Sequence, residues 1–194
     1  MIDIERQKKN FKDHVATFQD LGNIKILDFQ NPGHCEYRIR FLFEEDHYRL
    51  HISGDLGELI AYNFQNMRYE TFGDFVHNTG YFEEKILCHN RPIHCYDREK
   101  AKSELIAIIK EYDLIIDKDE MEDKVSEILA DFDEKSGISY EGHRILEEIA
   151  PDCWEYTYDL GIEDTGILDL YILAFKLAQE DLKRQESEVI KNEV

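Results

Sequence analysis

Residues 36–62, EYRIRFLFEEDHYRLHISGDLGELIAY, admit few folds. Tyr37, Ile39, Phe41 and Phe43 alternate with Glu36, Arg38, Arg40 and Leu42, a period of two. After a turn at Glu45-Asp46, Tyr48, Leu50 and Ile52 alternate with His47, Arg49 and His51. Ser53-Gly54-Asp55-Leu56-Gly57 then reverses the chain, with two glycines able to take positive φ. Two consecutive β-hairpins follow from this pattern. Pairing Glu44 with His47 sets Phe43 against Tyr48, Phe41 against Leu50 and Ile39 against Ile52. A slip of one residue would bury the arginines instead, so the buried face is strongly specified.

The opposite face gathers Arg38, Arg40, Arg49, His47 and His51. In the same register Arg40 stands opposite His51 and Arg38 opposite Ser53. A cationic sheet face is unexpected in a chain of formal net charge -20. The charge is unevenly spread: residues 1–95 hold 11 Lys and Arg against 15 Asp and Glu, whereas residues 96–194 hold 12 against 28. So acidic a field disfavours a broad nucleic-acid-binding surface and favours a basic protein partner.

In chain order, residues 3–20 are expected as an amphipathic helix on the spacing of Ile4, Phe11, Val15 and Phe18, capped by Gly22. This helix is the simplest cover for the sheet's apolar face. Residues 24–29 form a further strand, giving a four-stranded meander. A short helix follows over residues 71–78; residues 81–88 fit either a strand or one more helical turn, the strand being preferred, and 93–96 fit a further short strand. Asp97 caps a helix over 98–112. Residues 111–134 hold 11 acidic residues against two lysines, yet Met121, Val125, Ile128, Leu129 and Phe132 keep a helical period. Helices over 141–150 and 166–189 complete the chain, with an aromatic, acidic connector between them. The expected class is α+β: an antiparallel sheet of four or more strands with packed helices, followed by a mostly helical acidic half. The expected boundary near residues 114–119 divides an α+β domain, 1–113, from an acidic helical subdomain, 114–194.

Two sets of residues suggest chemistry. On the sheet, Arg38, Arg40 and Arg49 are candidate phosphate ligands, with His51 and His47 as candidate proton-transfer groups. That set would suit metal-independent cleavage of RNA by attack of a 2′-hydroxyl. The plainer reading is that these arginines pair with carboxylates of the acidic helices. In the acidic half, Asp119, Glu120, Glu122, Asp123, Glu127, Asp131, Asp133 and Glu134 are candidate partner-binding residues. Carboxylates along a helix can imitate the spacing of phosphates, although a solvated acidic face is the commoner explanation. Cys88-His89 and His94-Cys95 lack the repeated two-to-four-residue spacing of a zinc site, so neither metal nor cofactor is expected. The four cysteines are expected as free thiols. No run reaches the roughly 18 apolar residues of a membrane span, and the first residues lack a secretory pattern, so a cytoplasmic location is expected.

Ser53-Gly54-Asp55-x-Gly57 on a hairpin, Tyr81-Phe82-x-Glu84-Lys85 beyond it, and Tyr96-Asp97 opening a helix form a pattern across residues 36–112. In it the chain resembles a family of uncharacterised proteins of phages and other mobile elements. The resemblance, with the chain's size and acidity, implies an anti-CRISPR protein acting on type II systems in the cytoplasm of a bacterial host. Its partner would then be a CRISPR effector ribonucleoprotein, met either by the acidic helices at a basic nuclease channel or by the sheet face acting on guide RNA. A homodimer through the apolar part of the last helix is a further expectation.

Overall fold

The computed structural model describes residues 3–64, 67–111, 118–150 and 157–192. The fold is α+β. Six strands form one antiparallel meander: β1 (Val15–Asp20), β2 (Ile24–Gln30), β3 (Ile39–Glu44), β4 (Arg49–Gly54), β5 (Leu59–Tyr62) and β6 (Ile86–His89), neighbours in chain order. A second sheet pairs β7 (His94–Tyr96) with β8 (Ile162–Asp164). The described helices are α1 (Ile4–Asn10), α2 (Tyr69–Phe75), α3 (Thr79–Glu83), α4 (Arg98–Glu111), α5 (Lys118–Ile128), α6 (Tyr140–Ile149) and α7 (Ile167–Asn192).

Compactness divides the chain into two units, Met1–Pro92 with Gly166–Val194, and Ile93–Thr165. The boundary expected near 114–119 falls largely on residues 112–117, outside the described residues. The observed division is a different one: it groups the last helix with the sheet.

In the sheet unit, the alternation of β3 and β4 buries Ile39, Phe41, Phe43, Leu50 and Ile52, and neighbouring strands add Leu27, Phe29, Leu59 and Ala61. Phe175 of α7 meets this face edge-on, with ring centroids 5.3 Å from Phe41, 6.0 Å from Phe43 and 5.0 Å from Phe72. Each such aromatic pair adds about 0.5–1.5 kcal/mol beyond burial alone. The cover is therefore α7, not the N-terminal helix, none of whose residues is buried. The apolar part of α7 is consumed within the chain: Leu168, Tyr171, Ile172, Ala174, Phe175 and Ala178 are all buried. The homodimer expected through that part would have only partly buried side chains such as Leu173, Leu177 and Leu182 to use.

Three expectations about elements are corrected. Residues 3–20 are not one helix, since α1 ends at Asn10 and β1 pairs with β2 from Val15↔Gln30 to Asp20↔Lys25. Helical spacing of four apolar residues was outweighed by sheet pairing, and Gly22, at φ 80°, serves the β1–β2 turn rather than a helix end. Residues 81–88 are half helix: the Asn78 side chain accepts from Tyr81 N at 3.1 Å and starts α3, and only Ile86–His89 is strand. The β3–β4 register is shifted by two, pairing Glu44↔Arg49, Leu42↔His51 and Arg40↔Ser53. The loop takes four residues and ends on Tyr48 at φ 53°. A shift of two keeps every side chain on its expected face and changes only its partner.

In the helical unit, α4, α5 and α6 pack an aliphatic core of Leu105, Ile109, Val125, Ile128, Leu129 and Leu146, with Ala101 and Leu160 beside them. Asp97 caps α4 by accepting from Lys100 N at 2.7 Å, and Ser139 caps α6 by accepting from Gly142 N at 3.1 Å.

Candidate functional site

The open face of the six-stranded sheet holds most of the expected cationic set, but in other company. The Arg40 guanidinium donates twice to Asp28 on β2, Nε to Oδ1 at 2.7 Å and an Nη to Oδ2 at 2.9 Å. This bidentate bond holds the Arg40 pKa above its ordinary value. The plainer reading of the sheet arginines thus holds for Arg40, with the carboxylate coming from the adjacent strand rather than from an acidic helix. Arg38 precedes β3; its backbone N–H donates to Asp55 Oδ2 at 2.9 Å, and its guanidinium lies 3.9 Å from the same carboxylate. Arg49 stands between Glu44 on β3 and Tyr62 on β5.

His51 faces Leu42 and Ile60, not Arg40. Its Nε2 is closed to solvent and lies 3.4 Å from Glu44 Oε2, without the alignment of a hydrogen bond. Arg40 is its diagonal neighbour, at roughly 7–8 Å by sheet geometry. His47 lies in the β3–β4 loop, 70 % exposed, with Asp46 at 3.9 Å. The strands therefore bring His51 and Arg49 onto one face, place Arg40 nearby but committed to Asp28, and leave Arg38 and His47 outside the group.

Beside His51 is a cavity of about 400 Å3 lined by Ser53, Glu58, Ile60, Cys88 and His89. His89 Nδ1 lies 2.7 Å from the Arg91 carbonyl oxygen and donates to it. His51 and Cys88 each oppose Ile60, from opposite sides. Two strand spacings, about 9–10 Å, separate them, too far for an imidazole to activate the thiol. Among the described residues, no three His, Cys, Asp or Glu side chains gather to hold a metal ion, and Cys35, Cys88 and Cys95 are free. Cys153 lies outside the described residues.

The second surface belongs to the helical unit, where residues 93–165 hold 8 Lys and Arg against 22 Asp and Glu, a net of -14. Asp119, Glu120, Glu122, Asp123 and Glu127 are exposed on α5, whose Val125 and Ile128 turn into the core. Asp131, Asp133 and Glu134 follow in the turn and are also exposed. Asp133 is partly spent on its own turn, accepting from Lys135 N at 2.8 Å. The exposed side chains of α5 stand on a helix whose other side is packed into the aliphatic core. Sequence spacing did not reveal a hollow in this unit between Tyr140, His143 and Tyr158, because Tyr158 comes from a segment outside α6.

The residues that carried the phage-protein resemblance have structural tasks. Asp55 N donates to the Arg38 carbonyl at 2.9 Å, and a Cβ on Gly54 would collide with that oxygen. Phe82 is fully buried, Lys85 Nζ lies 4.3 Å from the Tyr81 ring centroid, and Asp97 is the α4 cap. Compared with known proteins, the chain matches no family model, and no curated protein or solved structure is similar to it. No described helix is long and apolar enough to cross a membrane.

Proposed function

We propose that the protein is a non-enzymatic inhibitor whose helical unit binds a basic surface of a nucleic-acid-handling protein. The observation that carries the reading is the net charge of -14 on residues 93–165, to which the exposed carboxylates of α5 and the turn after it contribute. Helix α5 is anchored through Val125 and Ile128 in the core, so the backbone that carries its carboxylates is already ordered before binding. Opposed fields of this kind speed encounter and select basic partners. The phage-protein resemblance suggests the partner, an RNA-guided nuclease with a basic nucleic-acid channel in a bacterial cytoplasm.

The ribonuclease reading of the sheet is supported less well. It asks Arg40 to grip phosphate, but that guanidinium already has both forks on Asp28, and His51 is flanked by Leu42 and Ile60. The test is a competition assay: a guide-loaded RNA-guided nuclease is offered target DNA in the presence of the protein. The wild-type chain should displace DNA, with the guide RNA recovered at full length. A variant carrying Asp119→Asn, Glu122→Gln, Asp123→Asn and Glu127→Gln should need at least tenfold more protein. Equal potency of the two, or shortened guide RNA, would contradict the proposal.

A further inference from the structure

The helical unit contains a hollow of about 350 Å3 whose lining does not suit an ordinary acidic surface. Tyr140 and His143 stand on one side of α6, with Glu147 one turn further on, an i, i+3, i+7 spacing along one helix face. Tyr158 faces them from another segment, its ring centroid 5.1 Å from that of His143 and inclined at 36°. Tyr140 is 86 % exposed and Tyr158 65 %, although both rings could have been packed or replaced by charged residues in so acidic a unit.

The polar groups point the same way. Thr157 lines the hollow and is only 1 % exposed; its hydroxyl oxygen is closed to solvent and has no hydrogen-bond partner among the described residues. Burial pushes the His143 pKa below its ordinary value, so the ring is neutral at neutral pH and offers a nitrogen lone pair. Arg144 also reaches the rim, but it adds little net positive charge. Its Nε donates to Glu141 Oε2 at 3.0 Å, one Nη to Glu141 Oε1 at 2.6 Å, and the other Nη to Glu148.

The hollow thus combines two open aromatic rings, a neutral imidazole and the Glu147 carboxylate within a unit of net charge -14. An anion would meet that field and those acceptors unfavourably. An apolar group would leave the Glu147 carboxylate desolvated without a partner. A guanidinium suits every part: it stacks on tyrosine, carries five donors in one plane, and is more weakly hydrated than an ammonium.

We propose that the hollow between Tyr140, His143 and Tyr158 is the anchoring pocket for an arginine side chain of the protein's basic partner. This rests on the reading of the helical unit as a binder of basic proteins, and it names the contact through which an otherwise diffuse attraction becomes specific. The carboxylates of α5 would steer the partner, while the hollow would fix its register.

The experiment uses the full chain, isotope-labelled, and two synthetic pentapeptides, Gly-Ser-Arg-Ser-Gly and its counterpart with citrulline in place of arginine, both blocked at each end. Citrulline keeps the shape and loses the charge. NMR titration should show the arginine peptide shifting resonances of Tyr140, His143 and Tyr158, with at least tenfold higher affinity than the citrulline peptide. Tyr158→Ala, at an exposed ring, should weaken the arginine peptide at least tenfold without altering the rest of the spectrum. The fourfold neutralised α5 variant should bind the arginine peptide within about twofold of wild type while binding the nuclease at least tenfold more weakly. Shifts located elsewhere, equal binding of the two peptides, or an indifferent Tyr158→Ala would overturn the pocket. If the nuclease still bound in a charge-dependent manner, only the pocket would have failed. If neither nuclease nor peptide bound, the functional reading would fail with it.

Discussion

The two units solve the problem of a stable core with different materials. The sheet unit buries aromatic rings, with Phe29, Phe41, Phe43, Phe72, Phe82, Tyr171 and Phe175 all almost fully enclosed. The helical unit buries aliphatic chains, Leu105, Ile109, Val125, Ile128, Leu129 and Leu146 among them, and leaves Tyr140 and Tyr158 outside. Their surfaces differ as sharply. Residues 93–165 carry -14, and the remaining residues, with 15 Lys and Arg against 21 Asp and Glu, carry -6. On the sheet, Arg40 is matched to Asp28 across the strands; on α5, acidic side chains outnumber the basic ones available to them. The sheet unit comes nearer to balance. The helical unit keeps the larger acidic excess.

The first and largest test concerns separateness of the cores. Phe175→Ala should destabilise the sheet unit by about 3–5 kcal/mol, because α7 loses its contact with three buried rings. Leu105→Ala should cost the helical unit about 2–5 kcal/mol. Amide exchange read residue by residue should show β2–β5 losing protection in the first variant and α4–α6 in the second. Equal loss in both units from either substitution would merge them into one cooperative body.

A smaller effect is expected at the hairpin turn. Gly54 holds φ 140°, and a side-chain carbon there would strike the Arg38 carbonyl oxygen. Gly54→Ala should cost roughly 1–3 kcal/mol from backbone strain alone, measured by urea denaturation. An unchanged midpoint would mean that the turn is not fixed as described.

Acid should weaken both units for one reason. His14 in the sheet unit is 6 % exposed and donates from Nε2 to the Tyr37 carbonyl at 3.3 Å, and its Nδ1 has no partner among the described residues; burial lowers its pKa. His143 is lowered likewise by burial. A lowered folded-state pKa means the unfolded chain takes the proton first. Stability is therefore full above the ordinary value of 6.5 and falls as pH drops from there toward the folded-state pKa. Each histidine can contribute a slope of at most about 1.4 kcal/mol per pH unit in that window. His14→Gln should flatten the dependence of the sheet unit and leave that of the helical unit unchanged. A slope indifferent to His14→Gln would contradict the assignment.

How much of this was legible in the sequence differs between the units for physical reasons. The β3–β4 faces were readable because a period of two depends only on local alternation, and the two-residue register shift left them intact. The partner of Arg40 was not readable, since Asp28 reaches it only through the β2–β3 register. Residues 15–20 misled because Val15 and Phe18 also fit a helical spacing, and only pairing with β2 decides the matter. The role of α7 was hidden because its apolar stripe states that something is covered, not what. In the helical unit the acidic surface was legible from composition, as charge needs no tertiary contact to be counted. The Tyr140–His143–Tyr158 hollow was not, because it joins a helix face to a distant segment.

The central claim is that the helical unit's uncompensated charge binds a basic protein. The direct measurement is the affinity for a guide-loaded RNA-guided nuclease at low and at moderately high salt, for wild type and for the variant Asp119→Asn, Glu122→Gln, Asp123→Asn and Glu127→Gln. Screening lengths shrink from about 30 Å at 0.01 M to about 8 Å at 0.15 M salt. Wild-type affinity should therefore fall at least tenfold between those conditions, and that of the variant only a few-fold from a weaker start. Affinities that ignore both salt and the four substitutions would contradict the account.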